Sequence, residues 1–351
     1  MSPLTRFILI PALIGAVVGL SFILLTNDQD ANKPGYAQAV LKATPAVVNI
    51  YTTKITRRGR LCSIPAYESL CKTFDEQPQV QNSLGSGVIV NADGYVLTNG
   101  HVVAGADEIL VMFANNHASP AELIGVDPHT DLAVIKVPDT GLPVIPRVTG
   151  GTAQVGDVAL AIGNPFGLGH SVSQGIVSAL SRTIITNSPY DDFIQTDAAI
   201  SPGNSGGALV DHEGRLLGIN TMIYSQSGGS EGIGFAIPAD LAFFVVSQIV
   251  ENGRVIRGWL GISLTPQPMP DAPQGLLVTG VHPGGPANAA GLQPGDRITG
   301  VNGSVATNAY AITDIIANTT PGEPIEIEVL REGTLFRTEA IAGDLPPPQL
   351  N

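Results

Sequence analysis

Gly203-Asn204-Ser205-Gly206-Gly207 is the segment of this 351-residue chain whose residue types most directly invite chemistry. A serine hydroxyl attacks an acyl carbon only when a base takes its proton and fixed donors hold the oxyanion that forms. Glycines on both sides of Ser205 let the backbone turn sharply and aim the N–H groups of Gly203 and Ser205 into one small oxyanion hole. The base is expected upstream at His101, in Thr98-Asn99-Gly100-His101-Val102, directly after the strand-like run Tyr95–Thr98. The other histidines (117, 129, 170, 212 and 282) mostly sit in polar or Pro/Gly-rich surroundings and read as surface residues. The acid that orients the base is expected between them, at Asp131, just before the apolar run Leu132–Val137. Asp127 is a near competitor for that part. Asp197 is another, read as a residue that structures the loop beneath the nucleophile.

The chain order His, Asp, Ser is that of chymotrypsin-like hydrolases, and differs from the subtilisin and α/β-hydrolase orders. Holding three side chains from distant segments together needs a rigid frame. From about Ala37 to Ala242, short β-branched runs such as Ala46–Tyr51, Gly87–Val90 and Leu216–Asn220 alternate with turn signals, which predicts an antiparallel sandwich or barrel. A helix is expected from Pro238 to Glu251, with apolar residues at 241, 244, 245 and 249 and Asn252-Gly253 at its end. A second unit begins near Gly258, with strands around 259–264, 275–281 and 325–330 and a helix around Thr307–Asn318.

Composition sets outer limits. The hydrophobic content of 44% allows a sizeable core, and 41 glycines with 27 prolines suit a turn-rich β protein. A net charge of −13 without a basic cluster argues against nucleic-acid binding, which needs Lys and Arg to neutralise phosphates. Phe7–Leu25 is an uncharged run of 19 residues, preceded by Arg6 and followed by Asp28 and Asp30. As a helix it would span roughly 28 Å, about one bilayer core, with the rest of the chain exported. A cleaved signal peptide is the alternative, but Leu24–Asp28 is a poor cleavage site. Export makes a local disulfide between Cys62 and Cys71 the expectation, with two free thiols as the alternative.

Several segments resemble the HtrA/Deg serine proteases: Gly85-Ser-Gly-Val-Ile89, the His101 segment, Asp131-Leu-Ala-Val-Ile-Lys136, Ala161-Ile-Gly-Asn-Pro-Phe-Gly167, Gln195-Thr-Asp197 and Gly203-Asn-Ser-Gly-Gly-Ala-Leu209. The resemblance implies an all-β chymotrypsin-like double β-barrel, two barrels of six strands with the triad His101, Asp131 and Ser205 in the cleft, and no metal or organic cofactor. Trypsin-type enzymes carry an acid in the S1 pocket at the position of Ala199. With Ile200 beside it and Gly218-Ile219-Asn220 as a wall, a small apolar pocket is expected, cleaving after Val, Ala or Leu.

The second unit resembles an α+β PDZ domain through Gly280-Val-His-Pro-Gly-Gly-Pro-Ala287, Ala290-Gly-Leu-Gln-Pro-Gly-Asp296 and Val301-Asn-Gly303. Trp259-Leu260-Gly261-Ile262 stands where such domains have their carboxylate-binding loop, so the N–H groups of Leu260, Gly261 and Ile262 are expected to receive a chain-terminal carboxylate. Ile312, Ile315 and Ile316 are expected to line the facing side, or else to be ordinary core. Arg182 falls in the segment that is a sensor loop in this family. The layout expected is an anchor (1–27), a tether (28–36), a protease domain (37–252), a PDZ domain (258–345) and a tail (346–351). One anchor and one PDZ domain are similar to the DegS-type branch. That implies a homotrimer on the inner membrane facing the periplasm, C-terminal peptides of misfolded outer-membrane proteins as activators, and an anti-sigma factor as substrate. The 62–71 loop is similar instead to general quality-control relatives. A PDZ scaffold or holdase with a vestigial protease domain is the non-enzymatic alternative.

Overall fold

The computed structural model describes residues 35–56, 79–147, 153–164, 169–182, 192–223, 232–265 and 274–346. The candidate anchor, nearly all of the tether and the Cys62–Cys71 pair lie outside these residues. Among the described residues no helix is long and apolar enough to cross a membrane. The chain divides into two compact units, Met1–Gln38 and Ala39–Asn351.

After a short helix α1 (Ala37–Ala43), seven strands form one antiparallel sheet: β1 (Val47–Thr56), β2 (Gln79–Ile89), β3 (Tyr95–Asn99), β4 (Glu108–Met112), β5 (Ala118–Pro120), β6 (Glu122–Asp127) and β7 (Leu132–Lys136). Their spatial order is β5-β4-β1-β2-β3-β7-β6. β5 and β6 flank the sheet and are separated in sequence by Ala121 alone, whose N–H bonds to Ile109 O at 2.9 Å. Counted as one bent strand, β5–β6 closes the sheet on itself with six strands. Leu132, Ala133, Val134 and Ile135 of β7 are all fully buried, so this strand shows no polar alternation. The cause is a helix on its outer face.

That helix is α3 (Ala239–Asn252), which packs on β6 and β7 and also on two strands of the next barrel. It buries Ala242, Val245 and Ile249, and burial of each large side chain contributes about 1.5–3 kcal/mol. Gly253 at φ +73° ends it, its N–H returning to Ile249 O at 2.8 Å. Gly125 lets α3 approach β6: a Cβ there would lie 2.7 Å from Gly253 O. Leu241 and Phe244, expected on the apolar face, are only half-buried.

The second barrel is closed: β10 (Phe193–Thr196), β13 (Gly234–Pro238), β12 (Leu216–Ile223), β11 (Ala208–Val210), β8 (Val158–Gly163) and β9 (Ser171–Arg182), in that spatial order. Its core includes Ala159, Ala161, Val177, Ile194, Leu209 and Ala236.

The C-terminal domain places β14 (Gly258–Trp259) against β21 (Gly343–Asp344). Its main sheet runs β15 (Ile262–Leu264), β16 (Leu276–Val281), β17 (Arg297–Val301), β19 (Pro324–Arg331) and β20 (Thr334–Ile341), with β18 (Ser304–Val305) on β17. Helices α4 (Pro286–Ala289) and α5 (Ala309–Ala317) complete it. Asn308 caps α5 by accepting from the N–H of Ala311 at 2.8 Å. β15 is an edge strand and is ready to pair with an added strand.

Candidate active site

The one-turn helix α2 (Gly100–Val103) begins where β3 ends and carries His101. The β6–β7 turn supplies Asp131, held at φ +55°, a left-handed conformation that Asp tolerates better than most residues. The two segments are laced together. Asp131 O accepts from the N–H of Gly100 at 2.8 Å and from Asn99 Nδ2 at 3.0 Å. Asp131 Oδ1 accepts from the His101 N–H at 2.8 Å, and Oδ2 lies 2.5 Å from His101 Nδ1. A carboxylate on Nδ1 fixes the proton there and leaves Nε2 with its lone pair, the arrangement a general base needs. Half of the His101 side chain is open to solvent.

This geometry separates the three candidate acids. Asp131 meets His101. Asp127 instead faces Arg257, with Arg257 Nη1 and Nη2 donating to its two oxygens at 2.9 and 2.7 Å. Asp197 Oδ1 accepts from the Ile176 N–H at 2.7 Å, tying the segment before the nucleophile to β9.

Ser205 stands on the turn between β10 and β11, across the seam between the barrels. Its hydroxyl donates to Thr221 O at 3.0 Å. To act as a nucleophile, this hydroxyl would have to leave that carbonyl. Upstream, the Asn204 N–H donates to Ser201 O at 2.9 Å, and Gly203 sits at φ +99°. With Pro202 at the second position this is a type II β-turn, which needs positive φ at its third residue and so needs glycine. Among the described residues no acceptor takes the N–H of Gly203 or Ser205, so both are free for an oxyanion. Gly206 allows the close approach of the two barrels: at φ +82°, a Cβ there would lie 2.2 Å from Ser86 O and 2.3 Å from Thr98 Oγ1. Thr221 and Asn99 were not anticipated. Asn99 Nδ2 reaches Thr221 Oγ1 at 3.2 Å and joins the acid's turn to the strand behind the nucleophile.

The expected pocket is only partly where the sequence suggested. Ala199 is exposed, but Ile200 is 2% exposed and belongs to the barrel core. Gly218, Ile219 and Asn220 are buried within β12, which pairs with β13 at all three and with β11 at Gly218 and Ile219. Asn220 Nδ2 is committed to Ala208 O at 3.0 Å. The part of β12 that reaches Ser205 lies further along, at Thr221. The wall assigned to 218–220 is thus corrected, because strand register rather than sequence proximity decides which residues meet the nucleophile. Arg182, at the end of β9, donates through Nε to Gln195 Oε1 at 2.9 Å. Among the described residues no group of His, Cys, Asp and Glu side chains could hold a metal ion.

In the C-terminal domain Leu260 is buried and its carbonyl accepts from Ala287 N at 2.9 Å. Gly261, at φ +74°, accepts from His282 N at 2.7 Å, and Ile262 opens the edge strand β15. Trp259 braces this loop from behind, with its ring edge-on to His282 at 5.2 Å and close to Gly285 and Gly343. Ile312 and Ile316 are core residues, so of the three isoleucines only Ile315 is partly exposed.

Contacts that join this domain to the barrels include the following. The Arg257–Asp127 pair is buried, with side chains 4% and 2% exposed. Tyr310 of α5 donates to Asp192 Oδ2 at 3.0 Å, just ahead of β10. Burial and the Asp192 charge push the Tyr310 phenol well above its usual range. Between the domains lies a cavity of about 570 Å³, lined in part by Arg147, Leu180, Phe244, Tyr310 and Asp314.

Comparison with known proteins agrees with both halves of this architecture. Residues 85–219 match the trypsin-like peptidase domain family, and residues 248–330 match the PDZ domain. A probable periplasmic serine endoprotease DegP-like of Halomonas elongata is 40% identical over 354 residues, covering 93% of this chain and 74% of that protein. The chain belongs to the HtrA-type serine endoproteases. An HtrA relative from Ectopseudomonas mendocina, also named DegP-like, is 41% identical over 90% of this chain and 72% of its own length. Among solved HtrA structures, the protease AlgW with a decapeptide superposes with a TM-score of 0.78 at 45% identity, covering 90% of this chain and 100% of AlgW. The serine endoprotease of Yersinia pestis gives 0.69 at 42% identity, covering 90% of this chain and 99% of its own.

Proposed function

We propose that this HtrA protease is a regulated periplasmic endopeptidase of the DegS type, switched on by peptides that bind its PDZ domain. Ser205 attacks the scissile carbonyl while His101 Nε2 takes its proton. Asp131 holds the imidazole in the required tautomer and balances its charge. The N–H groups of Gly203 and Ser205 stabilise the tetrahedral oxyanion. His101 then protonates the leaving amine and activates the water that hydrolyses the acyl-enzyme.

The observation that carries regulation is the Tyr310–Asp192 bond, which ties α5, packed on β14 next to the carboxylate loop, to the segment entering β10 and the nucleophile turn. A peptide paired with β15, its carboxylate on the N–H groups of Leu260, Gly261 and Ile262, adjoins α5 and can bias that bond. AlgW structures with a decapeptide and a tripeptide, from a protease 45–46% identical to this one, are consistent with peptide control. The apolar run before residue 27 anchors the enzyme to the inner membrane in this proposal, the active form is a homotrimer, Arg182 relays the signal, and Cys62 and Cys71 form a disulfide. The substrate class is the periplasmic part of a membrane-bound anti-sigma factor, cut after a small aliphatic residue.

The test measures hydrolysis of such a fragment, and of casein, while C-terminal peptides are titrated. Fragment cleavage that rises with peptide and vanishes in Ser205→Ala is expected. Robust casein digestion without peptide would instead support a general quality-control protease, a role the DegP-like names of the relatives favour.

A further inference from the structure

We propose that Ser86 is a positioning residue that sets the oxyanion hole from the opposite barrel. Ser86 lies on β2, in the Gly85-Ser86-Gly87 segment, and is fully buried. It has two donors. Its N–H goes to Ser205 O at 2.8 Å, and its hydroxyl goes to Gly203 O at 2.7 Å. Those carbonyls belong to the two residues whose N–H groups meet no acceptor among the described residues and are proposed to form the hole. One residue thus holds the peptide group that follows each oxyanion donor, and through them constrains the donors' spacing.

The hydroxyl's hydrogen bonds run in a fixed direction. Its only proton is given to Gly203 O, and it accepts from the Asn164 N–H at 3.0 Å. It therefore also joins the oxyanion turn to Asn164, directly after β8. Ser86 is itself held in place, since Thr98 Oγ1 donates to its carbonyl at 2.7 Å. The Gly203–Asn204 peptide is gripped at both ends, its carbonyl by Ser86 and its N–H by Ser201 O. An oxyanion donor works only if it is aligned before charge develops, so losing this grip weakens transition-state binding and spares ground-state binding.

The inference rests on Ser205, Gly203 and His101 being the catalytic machinery. The experiment compares full-length wild type with Ser86→Ala, Ser86→Cys and Ser205→Ala, using a fluorogenic peptide that wild type cleaves and a boronate of the same peptide. Ser86→Ala is expected to lower kcat roughly tenfold, about 1.4 kcal/mol, with KM within about twofold of wild type. The boronate, whose tetrahedral adduct uses the hole, should bind weaker by the same factor. Affinity for the uncleaved peptide, measured in a Ser205→Ala background, should not change. Ser86→Cys keeps the shape but has a weaker donor, so it should fall between wild type and alanine, and it carries the test if the alanine variant does not fold. A wild-type kcat in both Ser86 variants overturns the inference. So does an equal loss of boronate and ground-state affinity, which would mark a merely structural residue. Activity retained by Ser205→Ala would instead overturn the catalytic assignment itself.

Discussion

Replacing Arg257 with methionine should destabilise the protein far more than loss of a typical ion pair. Arg257 and Asp127 are 4% and 2% exposed and joined by two parallel hydrogen bonds. The residues are 130 positions apart, so the pair fastens the start of the PDZ domain to the first barrel. In Arg257→Met the Asp127 carboxylate stays buried. It keeps the Thr130 hydroxyl at 2.6 Å and the His129 N–H at 3.4 Å, but has lost its counter-charge. Breaking a buried pair from one side costs about 3–5 kcal/mol, against about 0–1 for an exposed pair. At about 2–4 °C per kcal/mol, the melting temperature should fall by roughly 10 °C.

The companion measurement is the double variant Asp127→Leu with Arg257→Met. It removes both charges, so it should recover most of the single-variant loss. Thermal unfolding of the four proteins, followed by calorimetry at neutral pH, reads both quantities. A single-variant cost under about 1 kcal/mol would refute the reasoning, because the pair would then be behaving as though solvated. A double variant that costs the sum of the two singles would refute it as well. Asp127 also ends the strand leading to Asp131, so kcat should drop in Arg257→Met even where the protein is fully folded.

Acid should weaken the fold below about pH 6.5. Burial holds the imidazoles of His129 and His170 below their usual range, helped at His129 by nearby Arg257 and opposed by Asp127. The unfolded chain therefore takes up protons first, stability is full above the ordinary histidine pKa of about 6.5 and declines below it, and His129→Gln and His170→Gln should each flatten a plot of melting temperature against pH from 7.5 to 5. Gly206→Ala forces a side chain to φ +82° and into Ser86 O, so it should cost about 2–5 kcal/mol and abolish peptidase activity, as seen by thermal unfolding and a turnover assay. Tyr310→Phe removes a half-buried hydrogen bond to a carboxylate, worth about 1.5–3 kcal/mol, and should cut the fold-activation by a C-terminal peptide about tenfold while leaving peptide affinity for the isolated groove contacts unchanged.

The residues legible in the sequence were those whose type and chain order are fixed by chemistry. Ser205 between glycines, His101 after a strand and Asp131 before one each carry a local signal, and α3 shows both helical period and a glycine stop. Residues that depend on register or on distant partners carried none. Asp127 and Asp131 look alike in sequence. Only the β6–β7 hairpin separates them, pairing Asp127 with Leu132 and leaving Asp131 in the left-handed turn beside His101. The wall of the pocket was misplaced because β12 is paired on both sides, which buries 218–220 and brings Thr221 to the nucleophile. Ile312 and Ile316 follow helical spacing whether they face a groove or a core, so periodicity could not choose between the two. Strands β17 and β20 went unrecognised: Gly300 interrupts the first, and only Ala340 is fully buried in the second.

In the proposed mechanism, the contact of the Ser205 hydroxyl lets a modest signal control a protease whose proposed catalytic residues already lie close together. His101 and Asp131 are in contact, and among the described residues no acceptor takes the N–H of Gly203 or Ser205, yet the Ser205 proton is given to Thr221 O. Exchanging one neutral hydrogen bond for another involves about 0.5–1.5 kcal/mol. Coupling between distant binding sites is typically about 1–3 kcal/mol, the same scale. Control of the proposed kind therefore needs no large rearrangement of the barrels. It needs only a shift at the nucleophile turn, which lies between Ser86 on the first barrel, Thr221 on the second and, through Asp192, Tyr310 of the PDZ domain.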